Sequence, residues 1–173
     1  MKKTFISILV IISACVYSQV AIGKSSVTNS SVSLEFASTE SRGLLLPWVT
    51  SAAAVTGAVD GTMIYDTTDK KIKYRKNGSW FDLSVDTTGV VNTTLQDPLS
   101  EQAAAKTAIG VNANTNVTPG ILVLTDTNKA MILPKTDSPH LNIINPAAGM
   151  IVYDNVKHQL AVFNGTVWSF WKP

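Results

Sequence analysis

Two six-residue stretches decide the fold that we predict for this chain, because each begins the same pattern. The first is Gly61-Thr62-Met63-Ile64-Tyr65-Asp66, and the second is Gly149-Met150-Ile151-Val152-Tyr153-Asp154. Each starts with a glycine, continues through an apolar run and ends at an aspartate, a residue that favours turns. We interpret each stretch as the first strand of a β-meander, and the recurrence as an internal duplication.

Further landmarks recur around these strands in the same order. Upstream, two short apolar runs stop at Pro47 and Pro134, as expected for buried strand ends. Downstream, an Asn-Gly pair, typical of a two-residue hairpin turn, is followed by a tryptophan that we expect to pack on the core. The offset between equivalents is 87 or 88 residues, and the landmarks are Pro47, Gly61, Tyr65, Asn77, Gly78, Trp80, Pro134, Gly149, Tyr153, Asn164, Gly165 and Trp168.

The predicted fold is therefore mainly β, with two repeated antiparallel β-meander modules joined by a linker that carries one short α-helix. Module 1 spans residues 33–84, and module 2 spans residues 121–173. Residues 19–32 form an N-terminal extension.

The linker, residues 85–120, is where we expect the helix. Asp97-Pro98 is typical of a helix start and Gly110 of the residue after a helix end, which predicts a helix over residues 98–109. Its apolar face is thin, so we expect it to pack on a sheet or on copies of itself.

Residues 1–18 have the layout of a bacterial secretory signal peptide, with two lysines ahead of an apolar run too short to span a bilayer. We favour cleavage after Ser18, which leaves Gln19 as the mature N-terminus. The alternative is a lipobox ending at Cys15, which would leave a lipid-anchored outer-membrane protein. In both cases we expect an exported protein, secreted or at the cell surface, with no transmembrane span in the mature chain.

Composition argues against several classes of function. Loss of Lys2 and Lys3 with the signal lowers the basic count from 14 to 12, equal to the 12 acidic residues, so no basic field favours nucleic acid. The single cysteine lies within the signal, and neither histidine belongs to a metal-binding pattern. No nucleophile elbow or phosphate-binding loop occurs. We therefore predict a non-enzymatic protein without catalytic residues, metal or cofactor.

Five residues are the candidate ligand or interface contacts. Lys73 and Arg75 belong to a basic strand that we interpret as the solvated face of a hairpin, with an acidic glycan or phosphate as the alternative. Trp48 and Lys135 are different residues at equivalent positions of the two modules. We therefore expect the fold to constrain this position less than the repeated landmarks. Trp171 lies near the end of the sequence. Exposed tryptophans stack on sugar rings, but burial in an oligomer interface explains them as well.

The landmarks together resemble a family of exported β-rich repeat proteins of Gram-negative bacteria, similar to phage-tail-fibre-like surface proteins, which are often homotrimers. The likeness rests on the start at residues 18–23, the run Gly-Leu-Leu-Leu-Pro, and the Gly-x-x-x-Tyr-Asp and Asn-Gly-x-Trp patterns, and it covers almost all of the mature chain. The residue after Leu-Leu-Leu-Pro is usually arginine in that family, whereas Trp48 and Lys135 stand here. The resemblance implies a surface fibre or adhesin.

We accordingly expect an exported, non-catalytic structural or adhesive protein of the cell surface, a homo-oligomeric and fibre-like subunit. Two alternatives stay open, a carbohydrate-binding module that uses an exposed tryptophan and an accessory subunit of an outer-membrane or secretion assembly. The expected partners are further copies of the chain, as in a trimer, and surface glycans or other envelope proteins. The Asp-Thr-Thr sequences at residues 66–68 and 86–88 are candidate O-glycosylation sites.

Overall fold

The computed structural model describes residues 19–94, 96–102 and 104–172, so the predicted signal peptide and Cys15 lie outside the described residues. The strands are β1 (Val20–Ile22), β2 (Val32–Phe36), β3 (Leu44–Leu45), β4 (Trp48–Val49), β5 (Met63–Asp66), β6 (Lys71–Lys76), β7 (Ser79–Asp82), β8 (Thr107–Ile109), β9 (Leu122–Leu124), β10 (Ala130–Ile132), β11 (Lys135–Thr136), β12 (Met150–Asp154), β13 (Gln159–Phe163) and β14 (Trp168–Trp171). One short helix, α1 (Pro139–Asn142), and 3-10 turns at Ala52–Ala54 and Ala113–Thr115 accompany them.

The duplication predicted from the sequence is confirmed by the strand topology. One sheet has the order β4-β5-β6-β7, and the second contains the equivalent order β11-β12-β13-β14. In each sheet, the first strand pairs in parallel with the second. The second, third and fourth strands form an antiparallel meander. The fold is mainly β, with two repeated antiparallel meanders.

The two hairpin turns differ although both contain Asn-Gly. Asn77 and Gly78 have φ values of 50° and 72°, as a two-residue type I′ turn requires. In module 2 only Gly165 of the pair has a positive φ, and the side-chain oxygen of Asn164 accepts hydrogen bonds from the N–H groups of Thr166 and Val167. The second module has one more residue before its tryptophan, so its loop is wider than the predicted two-residue turn.

The aspartates that end β5 and β12 bind the backbone of the turns that follow. Asp66 accepts hydrogen bonds from the N–H groups of Thr68 and Asp69, both at 3.0 Å. Asp154 accepts the equivalent bonds from Val156 at 2.9 Å and Lys157 at 3.2 Å. Their recurrence at equivalent positions therefore reflects a structural role, the satisfaction of turn N–H groups.

The helix predicted over residues 98–109 is wrong. The described residues of that stretch form isolated turns and irregular chain up to residue 106, and then the strand β8, which pairs in parallel with β9. Leu99, the first residue of the expected apolar face, is 72% exposed, so little burial was available to stabilise a marginal helix. Thr107 and Ile109 are β-branched and gain a ladder with β9 instead.

Besides a small buried cluster of Ile143, Val152 and Ala161 within module 2, one larger hydrophobic core lies across both modules. Module 1 and module 2 contribute equally to it, through Leu46, Tyr65 and Ile72 on one side and Ala148, Ile151 and Val162 on the other. Full burial of one large apolar side chain stabilises a fold by about 1.5–3 kcal/mol. The modules are consequently joined by packing, not only by the linker.

A third sheet, β1-β2-β10, is wholly parallel and joins the start of the described chain to module 2. Glu35 of β2 is buried at 4% exposure, where it accepts hydrogen bonds from Lys24 Nζ and from the hydroxyl and N–H of Thr28, each at 2.6 Å. The bonds from Lys24 and Thr28 lower the pKa of Glu35 from 4.5 to about 2. This carboxylate fixes the loop between β1 and β2.

Candidate functional site

A strand of module 1 completes the sheet of module 2. The two residues of β3 pair antiparallel with β12, Leu45 opposite Met150 and Leu44 opposite Ile151. Directly after β3, the N–H of Leu46 donates to the carbonyl oxygen of Gly149 at 3.1 Å. The edge of β12 is thus divided, with β3 on its first half and β11 on its second half.

Two aromatic side chains of module 1 lie beside this pairing. The Tyr65 hydroxyl donates to the carbonyl oxygen of Asn164 at 2.7 Å, and Trp48 Nε1 donates to the carbonyl oxygen of Ala148 at 2.6 Å. Tyr65 is fully buried, which raises the pKa of its phenol and keeps the donor protonated. Gly149 lies beneath them at φ +85°, and an added Cβ would lie 2.9 Å from Tyr65 Cβ.

We call this set the inter-module contact: β3, Trp48 and Tyr65 of module 1 against residues 148–151 and Asn164 of module 2. It combines strand addition, two side-chain donors on backbone carbonyls and a glycine that permits close approach. Backbone pairing of this kind is a general mode of protein association. The two modules of the chain are therefore joined by the same kind of backbone pairing through which separate proteins associate.

The segment after β7 covers the turn of module 2. This close approach requires a glycine at position 165, because a Cβ added to Gly165 would lie 2.0 Å from the carbonyl oxygen of Val90. The Thr166 hydroxyl donates to the carbonyl oxygen of Thr88 at 3.0 Å, and Asn164 Nδ2 donates to that of Asp86 at 3.2 Å. This lining leaves Asn164 only 1% exposed.

The basic strand is engaged internally. Lys73 is 9% exposed, so the prediction that it lies on a solvated face is wrong. Its ammonium contacts Asp69, and lies 3.6 Å from Asp82 and 3.7 Å from Asp66. Burial acts to lower the pKa of Lys73, but these carboxylates outweigh it and raise the pKa. Arg75 lies over the ring of Trp80, with its guanidinium carbon 5.6 Å from the ring centroid.

The aromatic candidates are separated. Trp48 is half-buried within the inter-module contact, whereas Trp171 is 43% exposed and its Nε1 donates to the carbonyl oxygen of Leu83 at 2.6 Å. Lys135, the equivalent of Trp48, is exposed on β11. Trp80 and Trp168 are both half-buried, and Trp168 packs against the buried cluster of Ile143, Val152 and Ala161. The contact thus includes one of the five candidate residues.

The candidate glycosylation threonines also differ in setting. The Thr67 hydroxyl donates to the carbonyl oxygen of Val49 at 3.0 Å, and the Thr68 hydroxyl to that of Thr50 at 2.6 Å. Thr87 is exposed in the segment that covers module 2.

Sequence reasoning missed one residue of the inter-module contact and one residue that fixes the hairpin turn of module 1. Ala148 presents its carbonyl oxygen to Trp48, and Asp60 binds the N–H groups of Asn77 and Gly78 at 2.8 and 2.9 Å. Asp60 precedes Gly61 and Ala148 precedes Gly149, so the two residues are repeat equivalents. An alignment of the two modules could therefore have identified their shared position.

Among residues 19–94, 96–102 and 104–172, no group of three or more His, Cys, Asp and Glu side chains is placed to hold a metal ion. No helix there is both long enough and apolar enough to cross a membrane.

The chain is thus a mainly β protein built from a duplicated meander, in which one strand of module 1 is added to the sheet of module 2. The chain belongs to the family described as phage tail like trimerisation region, whose model matches residues 21–96 and residues 110–172. Each matched stretch contains one complete meander. The tail-fibre-like character inferred from the landmarks is thereby confirmed. No curated protein and no solved structure gives a match to the chain.

Proposed function

We propose that this protein is a homotrimeric, fibre-like structural subunit without catalytic activity, exported to the cell surface. The observation that carries the proposal is the match of both halves of the chain to a family of trimerisation regions. The inter-module contact supports it, since strand addition already joins two modules within one chain. The absence of charge excess outside residues 1–18 agrees with a role in protein association.

The trimer is tested by light scattering and native mass spectrometry of the purified protein at micromolar concentration. We expect a mass three times that of the chain, retained on dilution through the micromolar range. A chain that stays monomeric under these conditions contradicts the proposal.

Export is proposed from the layout of residues 1–18. Cell fractionation is expected to place the protein in the envelope or medium, and mass spectrometry to find Gln19 at the mature N-terminus. A lipidated Cys15 would instead show the lipobox alternative and anchor the subunit at the outer membrane. Retention of the full-length chain in the cytoplasm contradicts the proposal of export.

A carbohydrate-binding role is the second candidate, supported by one observation. Trp171 presents 43% of its surface, and Phe170 beside it presents 39%. Aromatic faces of this kind stack on sugar rings. A glycan array with the parent protein and Trp171→Ala tests it, with Trp80→Ala as the control on a half-buried ring. Silence of the parent protein on the array contradicts this candidate.

Adhesion and membership of a larger envelope assembly are further proposals about partners. Co-purification from native membranes, followed by mass spectrometry, distinguishes a self-assembled fibre from an accessory subunit. If the protein is a self-assembled fibre subunit, we expect that no other protein is recovered with it in stoichiometric amounts.

A further inference from the structure

Each module carries both halves of the inter-module contact, but the chain uses only one pairing. We name the first half the covering face: β3, Trp48 and Tyr65 in module 1, with β10, Lys135 and Tyr153 as equivalents in module 2. The second half is the receiving face, formed by residues 148–151 with Asn164 in module 2. Its equivalents in module 1 are residues 60–63 with Asn77. The covering face of module 1 is on the receiving face of module 2.

The receiving face of module 1 is open. Within the described chain, β4 pairs with β5 only at Tyr65 and Asp66, so the half of that edge equivalent to the β3 site has no strand on it. A Cβ added at Gly61 would meet no atom within 4 Å, whereas one at its equivalent Gly149 would meet Tyr65 at 2.9 Å. Asn77 is exposed, whereas Asn164 is 1% exposed.

The covering face of module 2 is equally unmatched. Strand β10 is the edge of its sheet and pairs with β2 alone among the described strands. The N–H of Ala130 donates to Ser31 at 2.9 Å. The register of β10 with β2 shifts between Ala130 and Met131. In the filled contact the N–H of Leu46 donates to the carbonyl oxygen of Gly149, so the equivalent donor of the unfilled contact is the N–H of Leu133.

The side chains that flank β10 show the same difference in burial. Tyr153 is partly exposed where Tyr65 is fully buried, and its hydroxyl makes no hydrogen bond among the described residues. Leu133 is half-buried, whereas its equivalent Leu46 is 7% exposed. These side chains of module 2 are thus less buried than their equivalents in module 1, although Leu133 packs against the shared core.

Charge distinguishes this unfilled pair from the filled one. In the filled contact, Trp48 donates to Ala148. The equivalents are Lys135 on the covering face and Asp60 on the receiving face. Lys135 is exposed, and Asp60 lies at the exposed turn of module 1. The unfilled pair therefore replaces a neutral contact with two opposite charges, which favours one partner and one register.

We propose that the covering face of module 2 docks on the receiving face of module 1 in a second copy of this chain. Strand β10 then adds antiparallel to β5, with Ile132 opposite Thr62 and Met131 opposite Met63, the register equivalent to Leu45 with Met150 and Leu44 with Ile151. Each copy offers one unmatched face of each kind, so the contact is heterologous, and such contacts form a ring when the rotation between copies closes. This inference rests on the proposed homotrimer, in which three chains form a ring of six modules.

Cysteine cross-linking tests the register. In a Cys15→Ser background the chain has no other cysteine. Thr62→Cys with Ile132→Cys places a cysteine on each side of the proposed ladder, opposite one another, at a separation that a disulfide spans. Leu45→Cys with Met150→Cys is the matched control for the filled contact. Thr62→Cys with Val156→Cys, a position 52% exposed elsewhere, is the negative control.

After oxidation, non-reducing gels are expected to show linked dimers and a dominant linked trimer for the first pair. The Leu45 and Met150 pair is expected to close within one chain and stay at monomer mass, and the negative control to stay unlinked. A trimer in light scattering that gives no linked species from the first pair overturns this inference and leaves the proposed function intact. A monomer in light scattering overturns both.

A charge variant gives a second test that keeps the strands unchanged. Lys135→Glu places like charges across the contact and is expected to raise the concentration at which the trimer dissociates by about tenfold. Lys135→Trp restores the residue of module 1 and is expected to keep the trimer. Equal dissociation of both variants and the parent in native mass spectrometry overturns the role of this face.

Discussion

The Tyr65 hydroxyl donates a hydrogen bond to the carbonyl oxygen of Asn164 at 2.7 Å, and so links the first strand of one meander to the turn of the other. The bond is fully buried, and both residues belong to the repeat. We expect Tyr65→Phe to lower the free energy of unfolding by about 1–2 kcal/mol, because the carbonyl loses its donor in a dry site. Chemical denaturation followed by tryptophan fluorescence measures this.

Tyr74→Phe is the control for that substitution. Tyr74 packs against Phe81 with ring centroids 5.6 Å apart, and its hydroxyl makes no hydrogen bond within the described residues. Its loss is expected to leave stability within about 0.5 kcal/mol of the parent. Equal effects of the two substitutions would show that the bond to Asn164 contributes nothing.

The glycines of the two turns provide a matched pair. Gly165→Ala is expected to destabilise by more than about 2 kcal/mol, because the new Cβ would overlap the Val90 carbonyl oxygen at 2.0 Å and φ is +103°. Gly78→Ala also has a positive φ, +72°, but meets no atom within 4 Å. It is expected to cost only about 1 kcal/mol. Thermal unfolding of both variants measures the difference, and an equal loss would contradict the packing of the covering segment.

Glu35 makes stability depend on pH. Its folded pKa of about 2 lies below its usual 4.5, so its contribution is present above pH 4.5 and is lost as the pH falls through 2. We expect the melting temperature of the parent to fall across this window, and Glu35→Gln to flatten that fall while lowering stability at pH 7. Glu40→Gln, at an exposed carboxylate paired with Arg42, is the control and should keep the parent profile.

Asp154 is expected to be a structural carboxylate. Burial acts to raise its pKa, but hydrogen bonds from the N–H groups of Lys157, Val156 and Ser138 outweigh it and lower the pKa. Asp154→Ala leaves these donors without an acceptor and is expected to cost about 2–3 kcal/mol at pH 7. Asp137→Ala, at an exposed neighbour, is the control. Unchanged denaturation of Asp154→Ala would argue that water replaces the carboxylate.

The meanders could be predicted from the sequence because their signals are local. The run from Lys71 alternates with period two and reaches the Asn77-Gly78 turn, and the structure has β6 there as Lys71–Lys76. Repetition in module 2 strengthens the inference, since the Asn-Gly pair recurs there 87 residues later, although the two turns differ in length.

The failed predictions depend on tertiary contacts and not on local propensity. Residues 98–109 have helix-like local propensity, but the pairing of β8 with β9 decides the outcome. Lys73 is buried because Asp69 comes from the preceding turn and Asp82 from the next strand, and together they neutralise it. The pairing of β3 with β12 joins two residues of module 1 to a strand more than one hundred positions later. No periodic pattern marks such a pairing.

The crossing of β3 to module 2 also sets an order on folding. The strand that completes the second sheet is made long before β12 exists, so the shared core closes only when residues 150–164 are available. Loop closure over such a span is slow compared with hairpin formation. The core shared by the two modules therefore stays incomplete until both meanders have been made.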